Sequence, residues 1–205
     1  MDEKVRETLR ESNFSIHQYA RSPGHLRLVN GIANCYGKLL NRDINPLDEV
    51  LITVGADGSI FNAITSFVDK DSEVIIIEPF FDVYSPISLI AGAKCVFVPL
   101  KPRAKLNEGP VTSADWSWDL KELEAAFNSK TKLIVINTPN NPLGKIYSKE
   151  ELEQVAALCI KYNTLCIADE VYQHITYDRE HFRIGIYKNK SFVVIIFKLN
   201  YLKLI

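Results

Sequence analysis

Asn137–Tyr177 reads NTPNNPLGKIYSKEELEQVAALCIKYNTLCIADEVYQHITY, and its reading decides the fold. Just ahead of it, Leu133–Ile136 is a short apolar run rich in β-branched residues, which predicts a buried strand. Asn137–Gly144 cannot continue that strand, because two prolines and a glycine break the ladder. Four hydrogen-bonding side chains then crowd the strand's carboxyl end. Ser148-Lys-Glu-Glu151 is a capping box and predicts a helix start. Leu152, Val155, Ala156, Cys159 and Ile160 fall on one face of that helix. Thr164–Ala168 is a second apolar strand, with Asp169-Glu170 at its end. A strand–helix–strand unit of this length is a right-handed crossover between parallel strands. Both polar clusters therefore share one edge of one sheet, the edge where open α/β sheets bind ligands.

Upstream the same alternation continues. Glu3–Ser12 predicts a short polar helix, Asn13–Gly24 a loop, and Leu26–Leu40 a helix with Leu28, Ile32, Cys35, Tyr36 and Leu39 as its stripe. Val50–Val54 predicts a strand, and Gly55-Ala-Asp-Gly58 its turn into a helix ending near Val68. Small residues at a helix start let backbone N–H groups approach a phosphate, although a Gly-x-x-Gly turn serves chain geometry equally well. Glu73–Ile77 and Ala93–Val98 are further strands, Lys101–Asp115 is a polar excursion, and Asp119 caps a helix ending near Phe127. Strands alternating with helices make an α/β fold with a mostly parallel sheet and helices on both faces, three layers in all.

The 205 residues are 47% hydrophobic and 24% charged, with a formal net charge of −1. That is enough chain for one substantial core. The charge balance makes no case for nucleic acid or a membrane as partner. Cys35, Cys95, Cys159 and Cys166 have no metal-ligand spacing and read as reduced, buried thiols. The charged start MDEKVRETLRES has no signal-peptide pattern and is too acidic for a transit peptide. These features point to the cytoplasm, with the mitochondrial matrix as the other compartment. Gly55-Ala-Asp-Gly58 is not Gly-x-Gly-x-x-Gly, and Glu73–Glu78 carries no ribose-binding signature, so a dinucleotide-binding reading has little support.

Thr138-Pro-Asn-Asn-Pro-Leu-Gly-Lys145, Asp169-Glu-Val-Tyr172 and Glu78-Pro-Phe-Phe-Asp82 together resemble the fold-type I, pyridoxal-phosphate-dependent aminotransferases (class I/II). The wording is most similar to the kynurenine aminotransferase / cysteine-S-conjugate β-lyase group. The resemblance runs to about Ile184 and implies that residues 1–184 are part of the large, cofactor-binding domain. Residues 185–205 form an apolar tail without a family match. Within that tail Phe192–Phe197 predicts one more buried strand.

The resemblance implies a cofactor, pyridoxal 5'-phosphate, and a role for each site residue. The backbone of Gly55, Ala56 and Asp57 would meet the phosphate, with the Asp57 side chain turned away from it. Phe81 would stack on the ring, Asp169 would pair with the protonated ring nitrogen, and Asn141 and Tyr172 would donate to the ring's phenolic oxygen. Tyr19 would reach the phosphate held by the other subunit of a homodimer. Phe80 reads as core, Asn137 and Asn140 as turn residues, and Glu170 as a salt-bridge or capping residue. Substrates would be an amino acid and a 2-oxo acid, with kynurenine/glutamine-type transamination and a cysteine-conjugate β-lyase side activity. The family's Schiff-base lysine is expected about thirty residues past the aspartate, among small residues. Lys203 stands at about that distance, but Tyr201 and Leu202 flank it, so the chain is read as lacking that lysine and the small domain. The alternative is a non-catalytic fragment that binds the cofactor loosely or pairs with a full-length subunit.

Overall fold

A computed structural model of the chain describes residues 18–103 and 109–186, and 193–196 as backbone. The expected helix at Glu3–Ser12 and the residue Lys203 lie outside these residues. The chain divides into two compact units, one ending at Ile52 and the other beginning at Thr53.

In the first unit the helix expected over Leu26–Leu40 is present with those bounds and is labelled α1. It ends at Asn41, whose left-handed backbone (φ 49°) directs its N–H to the Gly37 and Lys38 carbonyls. The buried stripe is Val29, Ile32, Ala33, Tyr36 and Leu40, whereas Leu39 is exposed. Apolar residues on both sides of the true stripe make its phase ambiguous from sequence. Val50–Val54 is not a strand. A ladder needs a partner strand, and the Ile52 N–H bonds the Pro23 carbonyl at 2.9 Å instead.

The second unit carries the sheet. Its helices are α2 (Gly55–Phe67), α3 (Tyr84–Ile90), α4 (Leu120–Ala125) and α5 (Lys149–Tyr162). Its strands are β1 (Glu73–Glu78), β2 (Lys94–Pro99), β3 (Lys101–Pro102), β4 (Trp116–Ser117), β5 (Thr131–Asn137), β6 (Leu165–Asp169) and β7 (Val193–Ile196). The main sheet has the order β2-β1-β5-β6-β7, and every neighbouring pair is parallel. The strand expected within Phe192–Phe197 is β7. The excursion after β2 is tied back by the antiparallel pair β3–β4.

Alternate residues of each strand face opposite cores, which is the physical content of a three-layer fold. Ile75, Ile77, Ile134, Ile136, Cys166 and Ala168 pack with Leu123 of α4 and with Leu152, Val155 and Cys159 of α5. Val74, Ile76, Leu133, Val135 and Ile167 pack with Ile60, Ala63 and Ile64 of α2 and with Tyr84 of α3. In α5, Leu158 is buried and Ile160 is exposed, a shift from the face read in the sequence.

The capping box at the start of α5 is complete. Ser148 Oγ accepts from the Glu151 N–H at 3.2 Å, and Glu151 Oε2 accepts from the Ser148 N–H at 2.9 Å. Replacing Ser148 with alanine is expected to cost about 1 kcal/mol, read as a lower urea midpoint at unchanged slope.

Candidate functional site

Parallel strands put the carboxyl ends of β1, β5 and β6 on one edge, and the site residues follow from that. The Asn137 and Asp169 positions are register partners at the ends of β5 and β6. Two donors fix the Asp169 carbonyl, the Asn137 side-chain amide at 3.0 Å and the Thr138 N–H at 3.0 Å. The Asn137 side-chain oxygen accepts from the Asn141 N–H at 2.6 Å. One amide thus ties the loop that carries Asn141 to the strand end that carries Asp169.

Asn140 is the second connector. Its Nδ2 donates to the Pro79 carbonyl at 3.2 Å, which joins this loop to the turn leading to Phe81. Its Oδ1 accepts from Leu143 N–H, and its carbonyl accepts from Gly144 N–H at 2.7 Å, with Gly144 at φ 67°. Asn137 and Asn140 therefore act on the backbone, as their turn pattern predicted. Among the described residues no hydrogen bond occupies the Asn141 side chain.

The link between Phe81 and Asp169 is Tyr84, to which no sequence motif gave a role. Tyr84, 1% exposed, donates its hydroxyl to Asp169 Oδ2 at 2.5 Å. The Phe81 ring meets the Tyr84 ring edge-on, with centroids 6.0 Å apart and planes at 83°. The spacing of three from Phe81 into a helix start was the available signal. Phe80 instead stacks on Phe97 at 5.6 Å and belongs to the packing.

Asp169 is 3% exposed, and among the described residues no lysine, arginine or histidine pairs with it. Burial pushes its carboxyl above the usual carboxylate range, and the charges of Asp57 and Glu170 add to the rise. The Tyr84 hydroxyl and the Val171 N–H, at 3.2 Å, oppose it. Burial also raises the Tyr84 phenol, and the neighbouring Asp169 charge raises it further, so Tyr84 stays a neutral donor.

α2 begins without a side-chain cap at Val54, and Gly55 takes φ 70° with open space where a side chain would stand. The first-turn N–H groups of Gly55, Ala56 and Asp57 have no partners within the helix. The Asp57 carboxylate is felt at both Tyr84 and Asp169, which puts its charge on the side of the site.

Tyr172, 37% exposed, follows Asp169 on the same turn. With Asn141 it lines a cavity of about 530 Å³, which also takes in Pro139, Ile146, Ile175 and Arg179. The cavity lining does not include Gly55, Phe81 or Asp169. The unit from Thr53 thus gathers Phe81, Asn141, Asp169, Tyr172 and the α2 start. Tyr19 lies in the other unit and is fully exposed.

Glu170 was read as a salt-bridge or capping residue. It is fully buried, and its Oε2 lies 3.3 Å from His181 Nε2 and 3.6 Å from Arg183 Nε. No sequence motif pointed to His181 or Arg183 as its partners. Among the described residues no group of three or more histidines, cysteines and carboxylates could hold a metal ion, and no helix is long and apolar enough to cross a membrane. All four cysteines are free.

Comparison with known proteins completes this picture. The model of the family described as aminotransferase class I and II matches residues 1–196. The chain is 51% identical over 173 residues to kynurenine–oxoglutarate transaminase 3 of Bos taurus, covering 83% of this chain and 38% of that protein. It is 47% identical over 174 residues to human kynurenine–oxoglutarate transaminase 1, covering 84% of this chain and 41% of that protein. The three-dimensional structure of N-succinyldiaminopimelate aminotransferase from Mycobacterium tuberculosis superposes with a TM-score of 0.83 at 32% identity, over 95% of this chain and 48% of that one. The chain spans about two fifths of the length of the curated relatives it matches.

Proposed function

Because the chain belongs to the class I and II aminotransferase family, we propose that residues 1–184 form the cofactor-binding part of an enzyme that transfers amino groups between a kynurenine- or glutamine-type amino acid and a 2-oxo acid. Enzymes of this family depend on pyridoxal phosphate and act on amino and oxo acids. The names of the relatives support kynurenine and oxoglutarate as the pair. A cysteine-conjugate β-lyase side activity belongs to the same reading.

The observation that carries the proposal is Asp169, a buried carboxylate that no cation pairs with among the described residues. An isolated buried charge is costly, and a protonated ring nitrogen placed against it removes the cost on both sides. Phe81, held edge-on by Tyr84, offers a π face to a flat cationic ring. The uncapped start of α2 offers N–H donors and a positive dipole end to a phosphate. The group therefore fits the residues present.

Pyridoxal phosphate, when bound, supplies a ring that takes up negative charge developing at the substrate's α-carbon. Asp169 keeps the proton on the ring nitrogen, and Tyr84 keeps Asp169 in place. Asn141 and Tyr172 donate to the phenolic oxygen and stabilise its ionised form. Asp57 adds a negative charge near the phosphate end, which limits affinity there.

Tyr19 would serve the phosphate of a partner copy in a homodimer; its full exposure supports that use. Four free thiols support a reducing compartment, the cytoplasm or the mitochondrial matrix. By its distance from Asp169, Lys203 is the candidate for the lysine that would bond the cofactor, although Tyr201 and Leu202 stand beside it in place of small residues.

Titrating the chain with pyridoxal phosphate is expected to give a saturable absorbance change. Phosphate-free pyridoxal should bind about tenfold or more weakly. Borohydride reduction and peptide mapping then show whether Lys203 is labelled. Absence of saturable binding, or equal binding of the two compounds, would sink the proposal.

A further inference from the structure

Glu170, His181 and Arg183 form a buried polar cluster built on the Arg183–Glu170 ion pair, outside the set assigned to the ring. Their side chains are 0%, 4% and 12% exposed. The His181 imidazole and the Arg183 guanidinium approach the same oxygen, Glu170 Oε2, at 3.3 and 3.6 Å. None of these contacts has hydrogen-bond alignment, so Arg183 and Glu170 meet as charges. Buried charge of this kind is retained for a reason other than net stability, since an apolar replacement of similar volume is often at least as stable.

The second set of contacts shows what the cluster grips. Arg183 Nη2 donates to Gln173 Oε1 at 2.6 Å while its Nε faces Glu170. Gln173 N–H in turn bonds the Glu170 carbonyl at 3.0 Å, and Ile175 N–H bonds the Tyr172 carbonyl at 2.8 Å. One planar guanidinium therefore spans both ends of the turn Glu170–Gln173. Tyr172 sits inside that turn, and Asp169 is the residue before it. A rigid fork suits this two-point grip better than a lysine would.

We propose that Arg183 and Glu170 are positioning residues: the guanidinium clasps the Glu170–Gln173 turn and so aims the Asp169 carboxylate and the Tyr172 phenol at the cofactor ring. This rests on the cofactor reading above. Neither residue touches the ring; both act through Asp169 and Tyr172. Precision of this kind comes from side chains locked by the layer behind them.

The test is a double-mutant cycle on pyridoxal phosphate affinity, measured by absorbance titration of the full chain. Arg183→Met is expected to weaken binding about tenfold, and Glu170→Gln by a similar factor. Asp169→Asn alone should cost about a hundredfold or more. In the Asp169→Asn background, Arg183→Met should then cost about twofold or less, because the group being aimed is already gone. A purely structural role predicts the same tenfold loss in both backgrounds and would overturn the inference. So would unchanged affinity in Arg183→Met. Far-UV circular dichroism and thermal melting accompany each variant. Should Glu170→Gln fail to fold, the cycle with the more exposed Arg183 still decides. If Asp169→Asn itself leaves affinity unchanged, the cofactor reading fails, and that result is distinct from additivity in the cycle.

Discussion

Replacing Asp169 with asparagine is expected to have opposite effects on the two states of this protein. With pyridoxal phosphate, it removes one partner of a buried ion pair, a loss of about 3–5 kcal/mol, or roughly a hundredfold to several thousandfold in affinity. Without cofactor, the same substitution should stabilise the chain. The native carboxylate is 3% exposed, lacks a cation among the described residues, and has a raised pKa caused first by burial. Asparagine keeps the Val171 N–H contact through its oxygen. Its amide can donate to the Tyr84 hydroxyl, which turns to accept.

The sign of the pH dependence follows. A carboxyl whose folded pKa lies above its unfolded value binds more protons in the folded state between those two values. Stability from this group is therefore full below the ordinary aspartate pKa and is lost as pH rises through the raised one. Urea unfolding of cofactor-free protein should show a wild-type-minus-variant difference that falls across that window and is flat above it. A variant less stable than wild type at neutral pH, or one that binds the cofactor normally, would contradict this account.

The second large effect is at Glu151. Replacing it with alanine is expected to destabilise the chain by about 3–5 kcal/mol. Glu151 performs two tasks with its two oxygens. Oε2 closes the capping box on the Ser148 N–H, and Oε1 lies 3.0 Å from Lys145 Nζ. The Lys145 side chain is 3% exposed, and among the described residues its ammonium otherwise has the Tyr147 ring beneath it, at 5.1 Å from the centroid. Alanine leaves that ammonium buried and unpaired.

Lys145→Met should cost much less, about 1 kcal/mol or below. Methionine fills the volume, and Glu151 keeps the Ser148 N–H and some water. Combining the two changes should recover most of the loss, leaving about the 1 kcal/mol of the cap. Denaturant midpoints of the four proteins test this. Equal costs for the two single variants would show that the pair is solvated and the reasoning wrong.

Site and fold were legible in the sequence to different depths, and the difference has a physical basis. What local chain chemistry dictates could be read directly. The capping box needs only residues three apart, so Ser148 and Glu151 announce the start of α5. Leu26–Leu40 is bounded by its own residues, and the apolar runs of β1, β5 and β6 mark strands buried on both faces. Strand–helix–strand spacing sets parallel order, and parallel order alone brings Asn137 and Asp169 to the same edge.

Contacts between distant residues left no such trace. Tyr84 reaches Asp169 across 85 positions, and nothing in either neighbourhood encodes the distance. Periodicity gives the pitch of a helix but not its phase when apolar residues flank the stripe on both sides. That is why Leu158 replaces Ile160 in the core of α5, and Val29, Ala33 and Leu40 complete the face of α1. Val50–Val54 has the composition of a strand, yet a strand exists only through a partner's backbone, and Ile52 bonds Pro23 instead. The sequence by itself determined where the main helices and the buried strands β1, β5 and β6 form and which edge collects the polar side chains, because those depend on neighbours along the chain. Only the tertiary structure decided how Asp169 is held, what Glu170 pairs with and which helix faces are buried, because those depend on groups that meet solely through the fold.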